Sequence, residues 1–347
     1  MCLRSRFLFF IIILMSFTSC FKRQKHEILP PESPRFDVSG QIFDYDSQEP
    51  LANVIMKITS VTSQGQDTFS TLIDTTNSSG NYILKEIPVG NYELGAYRSG
   101  NVVENIDIII SNDHRIVDLF IPKPYVCQKR YGKVYGANHD SLNFEGIFWI
   151  SDGVLIGIAT WPLYPPRKRM FRGNCENGFL VMGEERYENE INSFSGITRY
   201  NGAYWSCNEK TIIGINQETS QPEGVIITEH LVADLTNDQK YLWISTQDNY
   251  IFRCNRHPSV IEREYKMAAL QLGGIAWDGK NLFVADVKQS FIYQLDEELK
   301  IISTYRAVFN DGLASWWIDC SFLSFDLKSH LWANSGGFLY EFEKNKN

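Results

Sequence analysis

The residues of this chain best suited to chemistry are cations and aromatics, and the chemistry they suit is recognition rather than bond-making. Between Trp161 and Cys175 the sequence sets Arg167, Lys168, Arg169 and Arg172 among Trp161, Tyr164 and Phe171. Guanidinium groups beside flat rings suit anions, sugars or protein surfaces, because the cation supplies charge and forked donors while the ring supplies an apolar platform. A second aromatic pair, Trp316-Trp317, stands just before Asp319. Two readings stand here. Trp161, Arg167, Arg169, Arg172, Trp316 and Trp317 form one ligand face, or the tryptophans are wedged between neighbouring elements and the basic stretch is a solvated loop.

Groups that would catalyse are sparse. The six histidines, His26, His114, His139, His230, His257 and His330, show no HxH or HExxH spacing that would support zinc. No GxSxG elbow and no phosphate-binding glycine loop occurs. Asp44 and Asp46 pair two carboxylates across Tyr45, but in a turn such a pair is ordinarily just solvated.

What must position these residues is a set of repeated strands. Gly273–Leu295 reads as three strands, Gly274–Trp277, Asn281–Ala285 and Phe291–Leu295, with an Asp278-Gly279 turn between the first two. The same phrase recurs on Trp205, Trp243, Phe283 and Trp332, and an apolar residue follows each eight positions on: Ile213, Ile251, Phe291 and Tyr340. Repeats of roughly 40 residues built from strands predict a β-propeller. Innermost strands are expected near Gly146, Gly196, Asp234, Gly274 and Phe322, which gives five blades, or six if the long first repeat holds another. Fourth strands are expected at Tyr187–Phe194, Gly224–Glu229, Val260–Lys266 and Lys300–Arg306. The last repeat lacks one, and Gln128–Tyr135 is placed to supply it, closing the ring from both ends of the chain. In a blade the connections from second to third strand share a face with the links between blades. The basic stretch, read as an inserted loop of the first repeat, and the Trp316-Trp317 link therefore fall on one face.

Residues 36–124 read as a separate small β-sandwich, with alternation in Asp37–Phe43, Asn53–Thr59, Asn81–Leu84 and Asn91–Tyr97. Three groups of residues, Gly40-Gln-Ile-Phe-Asp44 with Pro50–Val54, Thr76–Tyr82 and Ile87–Tyr92, resemble the carboxypeptidase regulatory-like (transthyretin-like) sandwich. That resemblance implies a non-catalytic spacer or interaction module, with Tyr82 and Tyr92 pointing inward. Residues 125–347 carry the propeller repeats, and Gly274–Asp286 resembles the NHL and gluconolactonase-like propellers. The resemblance implies an axial divalent metal held by the residue before the glycine of several innermost strands. Phe144-Glu145-Gly146 matches the first such place, but the equivalents are Ser195, Ala233, Gly273 and Ser321, with Asp234 and Asp319 out of register. One carboxylate is too few for a hard cation that wants six or more oxygens. The expectation is no cofactor, with a divalent cation at Glu145 and Asp319 as the alternative.

Residues 1–20 read as a targeting segment: Arg4 and Arg6 precede the apolar run Phe7–Met15, and Thr18-Ser19 lead to Cys20. The ending resembles the bacterial lipobox, which implies lipidation of Cys20; the plain alternative is secretion with an incidental cysteine. Residues 21–35 suit a tether. An exported compartment permits disulfides, and Cys127–Cys175 is the pair to test, while Cys207 and Cys254 fall within expected strands as buried apolar residues. A formal charge of −8 argues against nucleic acid as a partner. The whole reads as an all-β envelope lipoprotein, a sandwich plus a propeller. It is anchored at the outer membrane facing the periplasm, and it binds a protein or glycan without catalysis. The alternative is a lactonase-like hydrolase with a degenerate metal site.

Overall fold

The computed structural model describes residues 34–61, 71–131, 143–151, 154–161, 167–176, 179–185, 195–219, 221–255, 260–310, 315–335 and 338–343. Every regular element among them is a strand. The first eight are β1 (Arg35–Asp44), β2 (Ile55–Ser60), β3 (Leu72–Thr75), β4 (Asn81–Pro88), β5 (Gly90–Arg98), β6 (Asn101–Ile110), β7 (Arg115–Ile116) and β8 (Leu119–Ile121). They form two sheets, one ordered β4-β1-β7 with β8 also on β1, the other β3-β2-β5-β6. Alternation explains the packing: along β4, Tyr82 and Leu84 are buried while Asn81, Ile83 and Lys85 are exposed. Val38, Ile42, Met56, Ile58, Leu84, Leu94 and Ile110 close a core between the sheets. Tyr82 and Tyr92 point into it, and their hydroxyls donate to Val117 O and Pro88 O, each at 2.9 Å.

The chain then builds four-stranded meanders. After β9 (Lys123–Tyr131) come β10 (Asn143–Ser151), β11 (Val154–Trp161), β12 (Arg167–Glu176) and β13 (Phe179–Glu185). Next are β14 (Ser195–Tyr200), β15 (Ala203–Asn208), β16 (Thr211–Asn216) and β17 (Pro222–Ile227), then β18 (Val232–Asn237), β19 (Leu242–Thr246), β20 (Tyr250–Cys254) and β21 (Ile261–Lys266). The last are β22 (Leu272–Trp277), β23 (Leu282–Asp286), β24 (Phe291–Leu295) and β25 (Ile301–Asn310), then β26 (Ser315–Trp317), β27 (Leu323–Phe325), β28 (Leu331–Ser335) and β29 (Phe338–Phe342). The first strand of each meander touches the next in the order β10, β14, β18, β22 and β27, and β27 returns to β10. That cyclic contact of innermost strands is a β-propeller.

Closure differs in detail from the sequence expectation. The strand that completes the last meander is β9, which pairs antiparallel with β29 and begins five residues earlier than expected. On its other side β9 also pairs in parallel with β25, Tyr305 opposite Lys123 and Phe309 opposite Cys127, so the last two meanders share one sheet. Both edges of β9 are thus covered, which removes the strand edges where the two ends of the ring meet. The expected fourth strand of the first meander, Tyr187–Phe194, lies outside the described residues, and β13 takes the fourth place instead.

Two hairpin turns between first and second strands share one device. Asp238 Oδ1 accepts the N–H groups of Lys240 and Tyr241, at 2.8 and 2.6 Å, while Oδ2 accepts the Trp243 indole N–H at 2.9 Å. Asp326 does the same for Lys328 N, His330 N and the Trp332 indole, the last at 3.1 Å. An aspartate that rigidifies the turn also satisfies the polar end of a buried tryptophan.

Candidate functional site

The propeller axis is where a gluconolactonase-like metal would sit, and its geometry is set by small residues. A Cβ on Gly146 would lie 2.7 Å from the Gly196 Cα, so β10 and β14 approach as only glycine permits. The strands pair with their neighbours with a register shift at matching places, Phe144/Gly146, Ser195/Ile197, Val232/Asp234 and Leu272/Ile275. Aligned on the repeats, Asp234 stands in its innermost strand where Gly146, Gly196 and Gly274 stand in theirs, one residue past the place a metal ligand would take. Its carboxylate is buried and fills the space the glycines leave. Oδ1 accepts Leu235 N at 2.8 Å, and Oδ2 accepts Ile275 N at 3.0 Å and Leu323 N at 3.1 Å. Burial pushes its pKa up to about 7, against the opposing pull of the three amides.

This arrangement does not fit an axial cation. Both oxygens of Asp234 face N–H hydrogens, whose partial positive charge opposes a metal at the same place. One residue along, Ser195 and Ser321 are hydroxyls, Ala233 has no donor, and the Gly273 carbonyl accepts Ser245 Oγ at 2.6 Å. Asp319 is exposed and its Oδ1 accepts Ser290 Oγ at 2.7 Å. Glu145 lies in β10 at the register shift, and its side chain is outside the described residues.

Of the expected ligand face, the side chains described are Trp317 and Arg172, on β26 and β12. Trp317 is taken up at the junction of sandwich and propeller. Its indole N–H donates to Val102 O of β6 at 3.3 Å, and the Arg306 guanidinium lies over its ring at 4.1 Å. The same guanidinium also lies over the Phe291 ring at 4.4 Å. Arg306 is 4% exposed; it donates to Glu104 Oε2 of β6 and to Gln289 O, both at 2.7 Å. Tyr45 meets Phe291 edge-on at 5.3 Å, and Thr304 N donates to Asp46 at 3.0 Å. The Asp44-Tyr45-Asp46 turn is therefore a docking element rather than an acid–base pair. The adjoining cleft is lined by Arg98, Lys123, Tyr125, Gln294 and Tyr305, but Arg98 is committed to Asp44 at 2.9 Å and Lys123 lies 3.9 Å from Asp46.

The basic stretch is mostly strand, which corrects its reading as a loop. Arg167–Glu176 is β12, pairing with β11 from Trp161 opposite Arg167 to Val154 opposite Asn174. Only residues 162–166 connect the two strands, and they lie outside the described residues. By register Trp161, Arg167 and Arg169 belong to the connection end of the two strands. Arg172 is exposed but stands opposite Ile156, about 17 Å along the strand from Arg167. Trp316 pairs with Phe309 across β26 and β25.

Of the Cys127–Cys175 pair named for testing, the Cys175 side chain lies outside the described residues, and Cys127 is a free, buried thiol that donates to Lys129 O at 2.9 Å. Cys207, Cys254 and Cys320 are buried too, as expected for the first two. Burial pushes the Cys127 and Cys254 thiols up to about 12. The N-terminal segment with Cys20 lies outside the described residues, and among the described ones no helix is long and apolar enough to cross a membrane.

No protein-family model matches the chain, and no curated protein matches it by sequence. Among solved structures it is similar to glutaminyl cyclase from Myxococcus xanthus, at 8% identity and a TM-score of 0.46 over 64% of this chain and 97% of that one. It is similar to BamB from Moraxella catarrhalis at 12% identity and a TM-score of 0.35, over 88% and 85% of the two chains. The WD40 propeller domain of Doa1 gives 11% identity and a TM-score of 0.39, over 75% and 88%. Likeness at this level carries nothing about function, and the architecture rests on the strand connectivity itself.

Proposed function

We propose that this chain is a lipid-anchored envelope protein whose sandwich and five-bladed propeller act together as a non-catalytic binding module. The observation that carries the reading is Asp234: its carboxylate occupies the axis and both its oxygens are committed to backbone amides. A propeller whose axis is filled in this way offers its outer faces rather than its centre to a partner. The arginine-and-tryptophan group at the connection between β11 and β12, Trp161, Arg167 and Arg169, is the recognition surface, and a protein of the envelope is the partner favoured, with a glycan as the other class. Trp317 and Arg306 serve that surface indirectly by fixing the sandwich against the propeller.

Anchoring rests on the residues before and at Cys20, and residues 21–35 act as the tether between membrane and sandwich. The test is capture by immobilised protein from solubilised envelope, with the retained species identified by mass spectrometry. Wild type retains a defined partner, and Arg167→Ala with Arg169→Ala loses it. Hydrolysis of a lactone or ester that requires a divalent metal and disappears in Glu145→Ala would instead make the chain an enzyme.

A further inference from the structure

A cluster of potential metal ligands lies at the seam where the ring closes. Asp326, in the turn between β27 and β28, His330, just before β28, and Glu341 of β29 direct one ligand atom each to a common point, all within 4.8 Å of one another. His330 Nδ1 is 3.2 Å from Asp326 Oδ2 and 3.0 Å from Glu341 Oε1. Ligands about 2.0–2.1 Å from a tetrahedral cation stand about 3.3–3.4 Å apart, so the spacing is close to that of a metal shell.

Three observations favour a cation over a simple ion pair. One Nδ1–H hydrogen cannot point linearly at two carboxylate oxygens, whereas a cation at that point faces all three ligands at once. Glu341 is 6% exposed, so its charge calls for compensation. Each carboxylate also keeps a lone pair for a cation: the Tyr131 hydroxyl donates to Glu341 Oε2 at 2.6 Å, the oxygen that does not face His330, and the Trp332 indole takes one of the two lone pairs of Asp326 Oδ2 at 3.1 Å. Partners of that kind orient ligands and tune their basicity. Lys129 Nζ, 3.8 Å from Glu341 Oε2, opposes a cation, but its side chain is 64% exposed and can turn to solvent.

We propose that Asp326, His330 and Glu341 bind a divalent transition cation, with Tyr131 as the positioning residue for Glu341. One imidazole nitrogen with two carboxylate oxygens suits Zn2+ or a neighbouring first-row ion better than Ca2+ or Mg2+, which take oxygen alone. Three protein ligands leave a place for water. The ligands span both strands of the last hairpin, and Tyr131 belongs to β9, so the bound ion ties the C-terminal strand to the strand that closes the ring.

The experiment is calorimetric titration of the purified, chelator-treated full chain with Zn2+, alongside visible absorption with Co2+ and melting curves with and without metal. Wild type takes up one equivalent, shows Co2+ bands of a nitrogen–oxygen site and melts at higher temperature with metal. His330→Gln and Glu341→Gln weaken binding at least tenfold, and Tyr131→Phe weakens it about tenfold while melting normally without metal. Cooperative melting in chelator certifies each variant as folded; should Glu341→Gln fail that, His330→Gln decides, since its ring is only half-buried. Absence of saturable uptake, or uptake undiminished in His330→Gln, overturns the proposal and leaves an ion pair.

Discussion

The carboxylate of Asp234 in β18 accepts the backbone N–H of Leu323 in β27 at 3.1 Å, a bond between two innermost strands that are not neighbours in the ring. With Ile275 N and Leu235 N on the same group, one side chain ties three blades together at the axis. Its pKa is raised by burial to about 7 from 3.8. The raised value means the folded state binds the proton more tightly than the unfolded chain does. The associated stability is fully present below about pH 4 and is lost as pH rises through about 7. Melting temperature should therefore fall between pH 5 and pH 8 by an amount corresponding to a few kcal/mol, on the order of one per pKa unit crossed. In Asp234→Asn that component vanishes, and stability at pH 5 drops by about 1–3 kcal/mol because an amide N–H now faces backbone donors. Equal pH slopes in the two proteins would refute the assignment.

Arg306 joins sandwich to propeller, and its removal has a defined signature. Arg306→Ala leaves Glu104 without its cation and opens the space between Phe291 and Trp317, at a cost of about 3–5 kcal/mol. Lysine should not rescue it, because the stacked, forked guanidinium is what both rings and both acceptors use. Calorimetry should show the single transition of the wild type separating into two as the sandwich uncouples. A single unshifted transition would mean that the clasp contributes nothing.

The turn aspartates give a paired comparison. Asp238→Ala strands two backbone amides and the Trp243 indole, whereas Asp278→Ala strands only the amides of Lys280 and Asn281, since Phe283 stands where the indole would be. Denaturant unfolding should show Asp238→Ala to be the more damaging by about 1 kcal/mol or more, the cost of an orphaned buried donor.

The described thiols should be inert. Cys127, Cys207, Cys254 and Cys320 are buried, and burial raises the pKa of Cys127, Cys254 and Cys320, so a thiol reagent at pH 8 should label none of the four until the protein is unfolded. Peptide mapping after labelling would read this directly, and modification of native Cys127 would contradict the buried geometry.

How much of this was legible in the sequence depends on the range of the interaction. The strands on Trp205, Trp243, Phe283 and Trp332 follow from local turn chemistry and period-two burial, and all four rings are buried as their repetition implied. The closing strand was foreseen because an unpaired edge is costly, but its parallel pairing with β25 was not, since parallel register leaves no hairpin signal. Arg306 sat at the end of an expected outer strand with nothing local to mark it: its partners Glu104 and Trp317 come from distant segments. Of the two readings of Trp317, its contacts with Val102 and Arg306 agree with the packed one, and neither partner is near it in sequence save Arg306 eleven residues back. Asp234 was placed at the glycine position of its repeat, but nothing local showed that its carboxylate would accept the amides of Ile275 and Leu323 from two other blades. The Arg167–Arg172 stretch was read as part of an inserted loop of the first repeat, but the prolines end at Pro166 and the cations themselves extend a strand.

The central claim is that the outer face at Trp161, Arg167 and Arg169 binds an envelope partner without metal-dependent catalysis. The most direct measurement is quantitative capture of that partner by wild type and by the Arg167→Ala, Arg169→Ala double variant, with and without chelator. The account predicts retention by wild type that survives chelator and at least a tenfold loss in the double variant. Equal retention by both proteins, or retention abolished by chelator and by Glu145→Ala, would contradict it.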